Sequence, residues 1–446
     1  MNLKSILFSL TLICTSCFYT SAQFPIGERT ITFNDPDRNN RAIECDIYYP
    51  GVSAGTDVDV SNGDFPIVVL GHGFAMGTNV YNNWWEEFVP AGYIFVLPTT
   101  ESSLIPAPSH QEFGLDLRFM AETMQAENEN GSSSFYQHVS DRTALMGHSM
   151  GGGATILGAS GFAEVDCIVG LAPAETTPSA ITAASGVTAP ALILSGEDDS
   201  VTPANDHHIP IYDALGSACK TYVTISNGSH CYFANYNFNC AFGEIIPGSL
   251  SREDQQQLSY DLIHPYFNYF LRDSCDAWTG FQTELNSHPN IESLTNDCPN
   301  DSPVIIDNSG TLESTSAGNY QWYLNGVAIS GSDLQNHIVS ASGTYQVGTI
   351  NIGNCMVFSN EITVQVTGIS NQSSEFTIQR TQSGISITSK IQMLSSVSIS
   401  DLLGRTVYYR SIEGQKQATI TLDNKISPYV IQLRFADGSR KTFNFL

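Results

Sequence analysis

The run "TALMGHS" passes into "MGGGATILG" with nothing between them, and a strand that becomes a helix without a loop restricts a fold severely. The residue at the apex of such a turn is forced into a strained backbone conformation, so its neighbours must be small. Gly147, Gly151, Gly152 and Gly153 surround Ser149 in that way. The pattern Gly147-His148-Ser149-Met150-Gly151 fits a turn that presents a serine hydroxyl at the end of a sheet. A glycine-rich turn can also cradle phosphate, but that use needs a lysine directly after the glycines. Ala154, Thr155 and Ile156 stand there instead.

Around this turn, from Phe24 to about Leu285, β-rich runs alternate with helical ones. The candidate strands are "RTITF", "AIECDIYY", "FPIVVLG", "YIFVLP", "TALMGHS", "CIVGLAP", "PALILSG" and "KTYVTIS". The middle six are near-continuously apolar, as strands covered on both faces are. Helical patterns lie between them in "NVYNNWWEEFVPAG", "GLDLRFMAETMQAENE" and "GGGATILGAS", and again from Glu253 to Arg272. The alternation predicts an α/β domain over residues 23–290, a mostly parallel sheet with helices on both faces. Its first two strands form an antiparallel edge joined by "NDPDRNN", a polar hairpin turn. Trp84 and Trp85 read as the buried face of a helix.

After Asn286 the helical signal stops, and residues 291–297 read as a polar linker. Short alternating segments over 298–367 predict a small β-sandwich, with Cys298, Trp322 and Cys355 spaced for a disulfide beside a tryptophan. A second joint, 368–375, precedes another all-β unit, 376–446. At the other end, residues 1–22 carry Lys4, an apolar run from Ile6 to Phe18, and then Ser21 and Ala22, the layout of a cleaved secretory signal.

A chain of 446 residues and net charge -26 is expected to be multidomain. It is also expected to avoid nucleic acid and anionic membrane surfaces, which would repel it. A neutral or insoluble substrate meets no such barrier. Beyond the signal no run approaches the roughly 20 apolar residues of a spanning helix. Export and the even number of remaining cysteines (Cys45, Cys167, Cys219, Cys231, Cys240, Cys275, Cys298 and Cys355) favour disulfides over metal ligation. Cys231 with Cys240 would close one loop. The sequence calls for no metal and no cofactor, and a monomer is expected.

A serine hydroxyl becomes a nucleophile when a histidine takes its proton and a carboxylate fixes that histidine's tautomer. In this topology the chain order is serine, acid, histidine. "LILSGEDDSVTP" puts Asp199 just past an apolar strand, with Glu197 and Asp198 as rivals for the acid. "SNGSHCYF" presents His230 after the following strand as the general base. A tetrahedral intermediate needs two backbone N–H donors, each worth ~3 kcal/mol. Met150, after the nucleophile, and Phe74, in "GHGFAMG" after "FPIVVLG", are placed to supply them. His72 reads as a loop brace and His148 as packing behind the serine. His207 and His208 are neighbours whose side chains diverge, and His110, His138, His264, His288 and His337 sit in no motif.

On "GHGF", "GHSMGGG", "SGEDDSVTPANDHHIPIYDAL" and "GSHCYFANYNFNCAFGE", residues from about Arg29 to Asp276 resemble the α/β-hydrolase superfamily. Within it they resemble the cutinase-like polyester hydrolases, including poly(ethylene terephthalate) hydrolases of the Bacteroidota type. The resemblance implies a secreted serine ester hydrolase acting through an acyl-enzyme on hydrophobic esters or polyesters. It matches Ser149, Asp199 and His230 to the triad, and Phe74 and Met150 to the oxyanion pair. Where the family usually has a tryptophan wall this chain has Ala174, which leaves Tyr232 and Phe233 as candidate rings. A general lipase or short-chain carboxylesterase shares the same mechanism, and a surface adhesion protein with an inert hydrolase domain is the alternative of another class. Residues 298–367 resemble immunoglobulin-like modules. Residues 376–446 resemble sorting domains read by type IX secretion machinery, although the chain ends "FNFL" where a lysine is usual. Together with the signal they imply a secreted or cell-surface protein.

Overall fold

The computed structural model describes residues 23–298 and, beyond them, 302–308, 311–315, 318–351, 353–364, 376–381, 384–390, 392–401, 405–421 and 429–445. The expected signal, 1–22, and the joint 368–375 lie outside the described residues. The chain divides into two compact units, residues 1–299 and 300–446.

The first unit is built on one ten-stranded sheet. Its strands are β1 (Ile26–Asp35), β2 (Arg41–Pro50), β3 (Gly55–Thr56), β4 (Phe65–Gly71), β5 (Ile94–Pro98), β6 (Val139–His148), β7 (Cys167–Leu171), β8 (Ala191–Gly196), β9 (Lys220–Ile225) and β10 (Ile291–Asp297). They lie in the order β10-β9-β8-β7-β6-β4-β5-β2-β1-β3. Neighbours from β9 across to β5 run parallel, and β2 and β1 continue the sheet antiparallel. This is the mostly parallel sheet with an antiparallel edge that the apolar runs predict. The "NDPDRNN" turn closes that edge, with Arg38 Nε donating to Asp35 at 2.6 Å.

Helices α1 (Asn82–Phe88), α2 (His110–Glu129), α3 (Met150–Ala159), α4 (Ala180–Ala184), α5 (His208–Ala214), α6 (Phe238–Gly243), α7 (Arg252–Arg272) and α8 (Ala277–Ser287) fill the connections. Every residue of β4, β5, β7 and β8 is buried, so both faces of these strands must be covered. Strand alternation divides the work. Ile67, Val69, Ile94 and Val96 share one core with Phe113 and Leu117 of α2 and with Ala154 and Ile156 of α3. The intervening Phe95 meets Phe88 of α1 on the other side, where Tyr93 packs against Phe267 of α7. Fully burying one such side chain contributes roughly 1.5–3 kcal/mol. Trp84 is buried and Trp85 stacks on Tyr48, so the tandem tryptophans anchor α1. No helix among the described residues is long and apolar enough to cross a membrane.

The structure corrects the sequence reading at the end of this unit. Residues 291–297 are not a linker: they form β10 and pair antiparallel with β9, adding a tenth strand to the sheet. Because β10 runs back along β9, it carries Cys298 to Cys219, and these two form a disulfide. Cys298 therefore does not pair across a sandwich with Cys355. Cys231–Cys240 is bridged as expected. Cys45 and Cys167, by contrast, are free thiols buried in β2 and at the start of β7, where they serve as small apolar side chains.

The described residues of the second unit form strands and the turns between them. Ile305–Asp307, Thr311–Ser314 and Asn336–Ile338 form one sheet, and Tyr320–Leu324 with Gly343–Ile350 centre a five-stranded one. Their shared core is Ile305, Leu312, Trp322, Tyr345 and Val347, and the Trp322 ring stacks on His337. Strands between Phe376 and Phe445 make a three-stranded and a four-stranded sheet around a separate core that includes Ile378, Ile387, Val397, Ile431 and Leu433.

Candidate active site

Strand β6 turns directly into α3 at Ser149, whose φ of 56° and ψ of -120° lie where a residue with a side chain is strained. The surroundings hold it there. Its N–H donates to Leu171 O at the end of β7, and its carbonyl accepts from Gly153 and Ala174. A Cβ on Gly151 would stand 2.1 Å from Gly71 O, and one on Gly147 would stand 2.2 Å from Gly151 O. Glycine is required at both places because α3 starts pressed against the ends of β4 and β6. Four glycines in α3, Gly151, Gly152, Gly153 and Gly158, weaken it by about 1 kcal/mol each relative to alanine, a cost the fold accepts to bring Ser149 beside the β4 loop.

Strand β8 ends at Gly196, and the loop beyond it carries Asp199. Strand β9 leads to a short turn, His230–Phe233. His230 Nδ1 lies 2.7 Å from Asp199 Oδ2, both residues being buried. An ionised carboxylate only accepts, so Nδ1 carries the hydrogen and Nε2 is left with its lone pair. Glu197 and Asp198 do not meet His230; Glu197 instead accepts the N–H of Asn227 at 2.8 Å.

Asp199 is surrounded by donors. Oδ1 accepts from the N–H groups of Val201 and Thr202 at 2.9 and 2.7 Å. The Thr202 hydroxyl stands 3.0 Å from Oδ2, and His208 Nε2 stands 3.0 Å from that hydroxyl. If the hydroxyl donates to Asp199, His208 Nε2 must donate to it, and His208 Nδ1 then accepts from Ser195 Oγ at 2.8 Å. Four residues thus form a one-way relay that ends on the carboxylate. Burial pushes the Asp199 carboxyl upward, but the hydrogen bonds from His230 and from the Thr202 amide outweigh it and hold the group below the usual carboxylate range. Burial drives His208 down to about 3, keeping it neutral.

A second relay crosses the site. Gly73 N–H donates to the Tyr81 hydroxyl at 2.7 Å, which lies 2.9 Å from His148 Nδ1. His148 Nε2 lies 3.0 Å from His230 O. A carbonyl only accepts, so Nε2 donates and Nδ1 accepts from Tyr81. This ties the loop after β4, the elbow and the His230 turn together. His148 is buried and brought down to about 3, first by desolvation and then by the nearby His230. Glu244 holds the turn from the opposite side, accepting the N–H groups of His230 and Cys231 at 2.6 and 2.9 Å, while Gln255 exchanges two 2.8 Å bonds with Ser229.

Phe74 lies in the loop after β4 and is 45% exposed, and Met150 is the buried first residue of α3. First-turn helix amides have no partner within the helix. His72 is buried with Nε2 2.8 Å from Thr100 O, bracing the loop. The structure does not offer the two rings named as substitutes for a wall at Ala174. Phe233 is core, its carbonyl accepting from Trp84 Nε1 at 2.8 Å, and Tyr232 is covered by the Arg252 guanidinium 4.3 Å above its ring. Sequence reasoning also passed over Thr202, His208, Glu244 and Tyr81. The adjacent histidines were the one available signal, since only one of the two can face inward from the start of α5.

Residues 43–246 match the family model described as PET hydrolase-like, and all five candidate site residues fall within that stretch. Cutinase est1 of Thermobifida alba is 26% identical over 188 residues, 41% of this chain and 56% of the relative. Cutinase 1 of Thermobifida cellulosilytica is 27% identical over 186 residues, 41% of this chain and 64% of the relative. The bis(hydroxyethyl) terephthalate hydrolase of Streptomyces coelicolor is 26% identical over 186 residues, 41% of this chain and 54% of the relative. The chain thus spans between about half and two thirds of the length of these relatives. With its sheet, its elbow and its buried Asp199–His230 pair, the first unit is similar over residues 43–246 to the PET hydrolase-like family of carboxylic ester hydrolases.

Proposed function

We propose that this chain is a secreted serine ester hydrolase that cleaves hydrophobic esters and polyesters through an acyl-enzyme. The observation that carries the reading is the Asp199–His230 pair, which leaves a histidine Nε2 lone pair on the loop beyond β9 while Ser149 occupies the strained turn after β6. In this reading Ser149 Oγ attacks the ester carbonyl carbon and its proton passes to His230 Nε2. Asp199 stabilises the resulting imidazolium without taking the proton. The N–H groups of Phe74 and Met150 receive the oxyanion, each contributing ~3 kcal/mol in the transition state. Collapse expels the alcohol, protonated by His230, and water then repeats the sequence on the acyl-serine.

The matched family and the three ester hydrolases support the substrate class. Ala174, at the place of the usual aromatic wall, favours a second reading in which short soluble esters are preferred. Turnover of p-nitrophenyl esters against a polyester film under matched conditions separates the two. Two disulfides in the first unit suit an oxidising compartment. The signal over 1–22, an immunoglobulin-like module over 298–367 and a type IX sorting domain over 376–446 extend the reading to a secreted or cell-surface enzyme. Ser149→Ala is expected to abolish both ester hydrolysis and labelling by a fluorophosphonate while the circular dichroism spectrum stays unchanged. Full hydrolysis by that variant would overturn the reading.

A further inference from the structure

Tyr236, Phe238, Phe242, Ile245 and Ile246 stand 68 to 82% exposed on the segment that follows the His230 turn. Helix α6, at its centre, has no buried residue, and the rings of Phe238 and Phe242 lie 6.3 Å apart in a roughly parallel pair. Scattered surface apolar residues need no explanation, but a contiguous group does.

This segment is fixed rather than trailing. The Cys231–Cys240 disulfide ties α6 to the residue after His230, and Asn237 caps its first turn by accepting the Cys240 N–H at 3.0 Å. Asn239 Nδ2 donates to Ala75 O at 2.7 Å, joining α6 to the loop that carries Phe74. A Cβ on Gly243 would lie 3.9 Å from Val201, in the loop that carries Asp199. Helix α6 is therefore bonded to the loops of Phe74 and His230 and lies beside that of Asp199.

The segment is also uncharged where it faces solvent. From residue 232 to 250 the one charged side chain is Glu244, on a chain of net charge -26, and Glu244 is buried with its carboxylate turned onto the amides of His230 and Cys231. A charged partner finds no opposite charge here to pair with.

We propose that this α6 ridge, Tyr236 to Ile246, is the face on which a neutral, hydrophobic polyester settles, delivering its ester groups to Ser149 and supplying the apolar area that Ala174 lacks. The proposal rests on the ester hydrolase reading and adds where the polymer is held.

The test uses the full chain. Phe238→Ser/Phe242→Ser and Ile245→Ser/Ile246→Ser are compared with the unaltered protein on poly(ethylene terephthalate) film and on soluble p-nitrophenyl butyrate. The same substitutions are placed in a Ser149→Ala background to measure adsorption to polyester particles. The ratio of film to soluble turnover is expected to fall about tenfold, with a parallel loss of adsorption. An unchanged ratio with unchanged adsorption overturns the proposal. So does a light-scattering shift from dimer to monomer with no change in the ratio, which would assign the ridge to a second copy of the chain. If a serine pair fails to fold, Phe238→Gln alone is read in the same way. Hydrolysis that survives Ser149→Ala would refute the hydrolase reading instead, and adsorption by that variant still reports on the ridge.

Discussion

Behind His230 and in front of it, residues close together in the fold obey opposite rules. Behind, Thr202, His208, His148 and Tyr81 are buried and linked into two directional relays. In front, α6 is held by a disulfide and by a hydrogen bond to the Phe74 loop, yet it leaves its large apolar side chains in water. Proton transfer needs polar atoms that are already oriented and shielded from solvent. Capture of an insoluble chain needs apolar area that stays uncovered until the substrate arrives. The contrast teaches that order and burial are separate properties: both regions are ordered, and only one is buried.

Substitutions can break that contrast from either side. The largest expected effect lies behind His230. Asp199→Asn should reduce soluble-ester turnover by about 10⁴-fold, because the amide favours the wrong imidazole tautomer. A loss below about tenfold would move the acid to Glu197 or Asp198.

Next in size is an acid instability of the buried relays. His148 and His208 are brought to about 3 in the folded chain, while an unfolded histidine titrates near 6.5. Between those values the unfolded chain binds protons that the folded one excludes, so stability falls as pH falls. Each histidine contributes up to about 1.4 kcal/mol per pH unit across that window. The urea midpoint should drop from pH 7 to pH 5, and His208→Gln should flatten the drop. A midpoint constant over that range would show that these rings are not held neutral.

Thr202→Val comes third. It removes a donor from a buried carboxylate and leaves His208 Nε2 without its acceptor, a loss of about 2–3 kcal/mol. Thermal melts should show it, and Thr202→Ser should restore both melting temperature and turnover. The smallest effect belongs to the front. Cys231→Ser/Cys240→Ser opens a short surface loop, and the cost is about 2 kcal/mol or less. Film turnover should fall further than soluble-ester turnover, which would separate the placement of α6 from the stability of the core.

Much of the candidate site was legible because its signals are local. The elbow reads from one strand, its glycines and one helix, and the order of Ser149, Asp199 and His230 follows the strands that carry them. Thr202 and His208 were not legible, since their roles depend on how α5 turns one histidine inward while the other stays outside. Tyr81 and His148 meet across 67 residues of chain, a separation that no motif spans. Residues 291–297 were misread because an edge strand with one face in water is mostly polar, and "IESLTND" keeps few apolar positions. That error carried Cys298 with it, as its partner follows from the β9–β10 register. Phe233 was misread for the opposite reason: a ring beside His230 in sequence points into the core once the turn is formed.

The junction after β10 has a mechanical consequence. Asp297 pairs with Lys220, and one residue on, Cys298 is bonded to Cys219. A pull applied beyond residue 298 would otherwise unzip β10 from β9 one hydrogen-bonded pair at a time, starting at Asp297. The disulfide places a covalent stop ahead of the first pair, so tension passes into β9 as a whole and β10 cannot be peeled away. Force that reaches Cys298 leaves the loops that hold Asp199 and His230 in register.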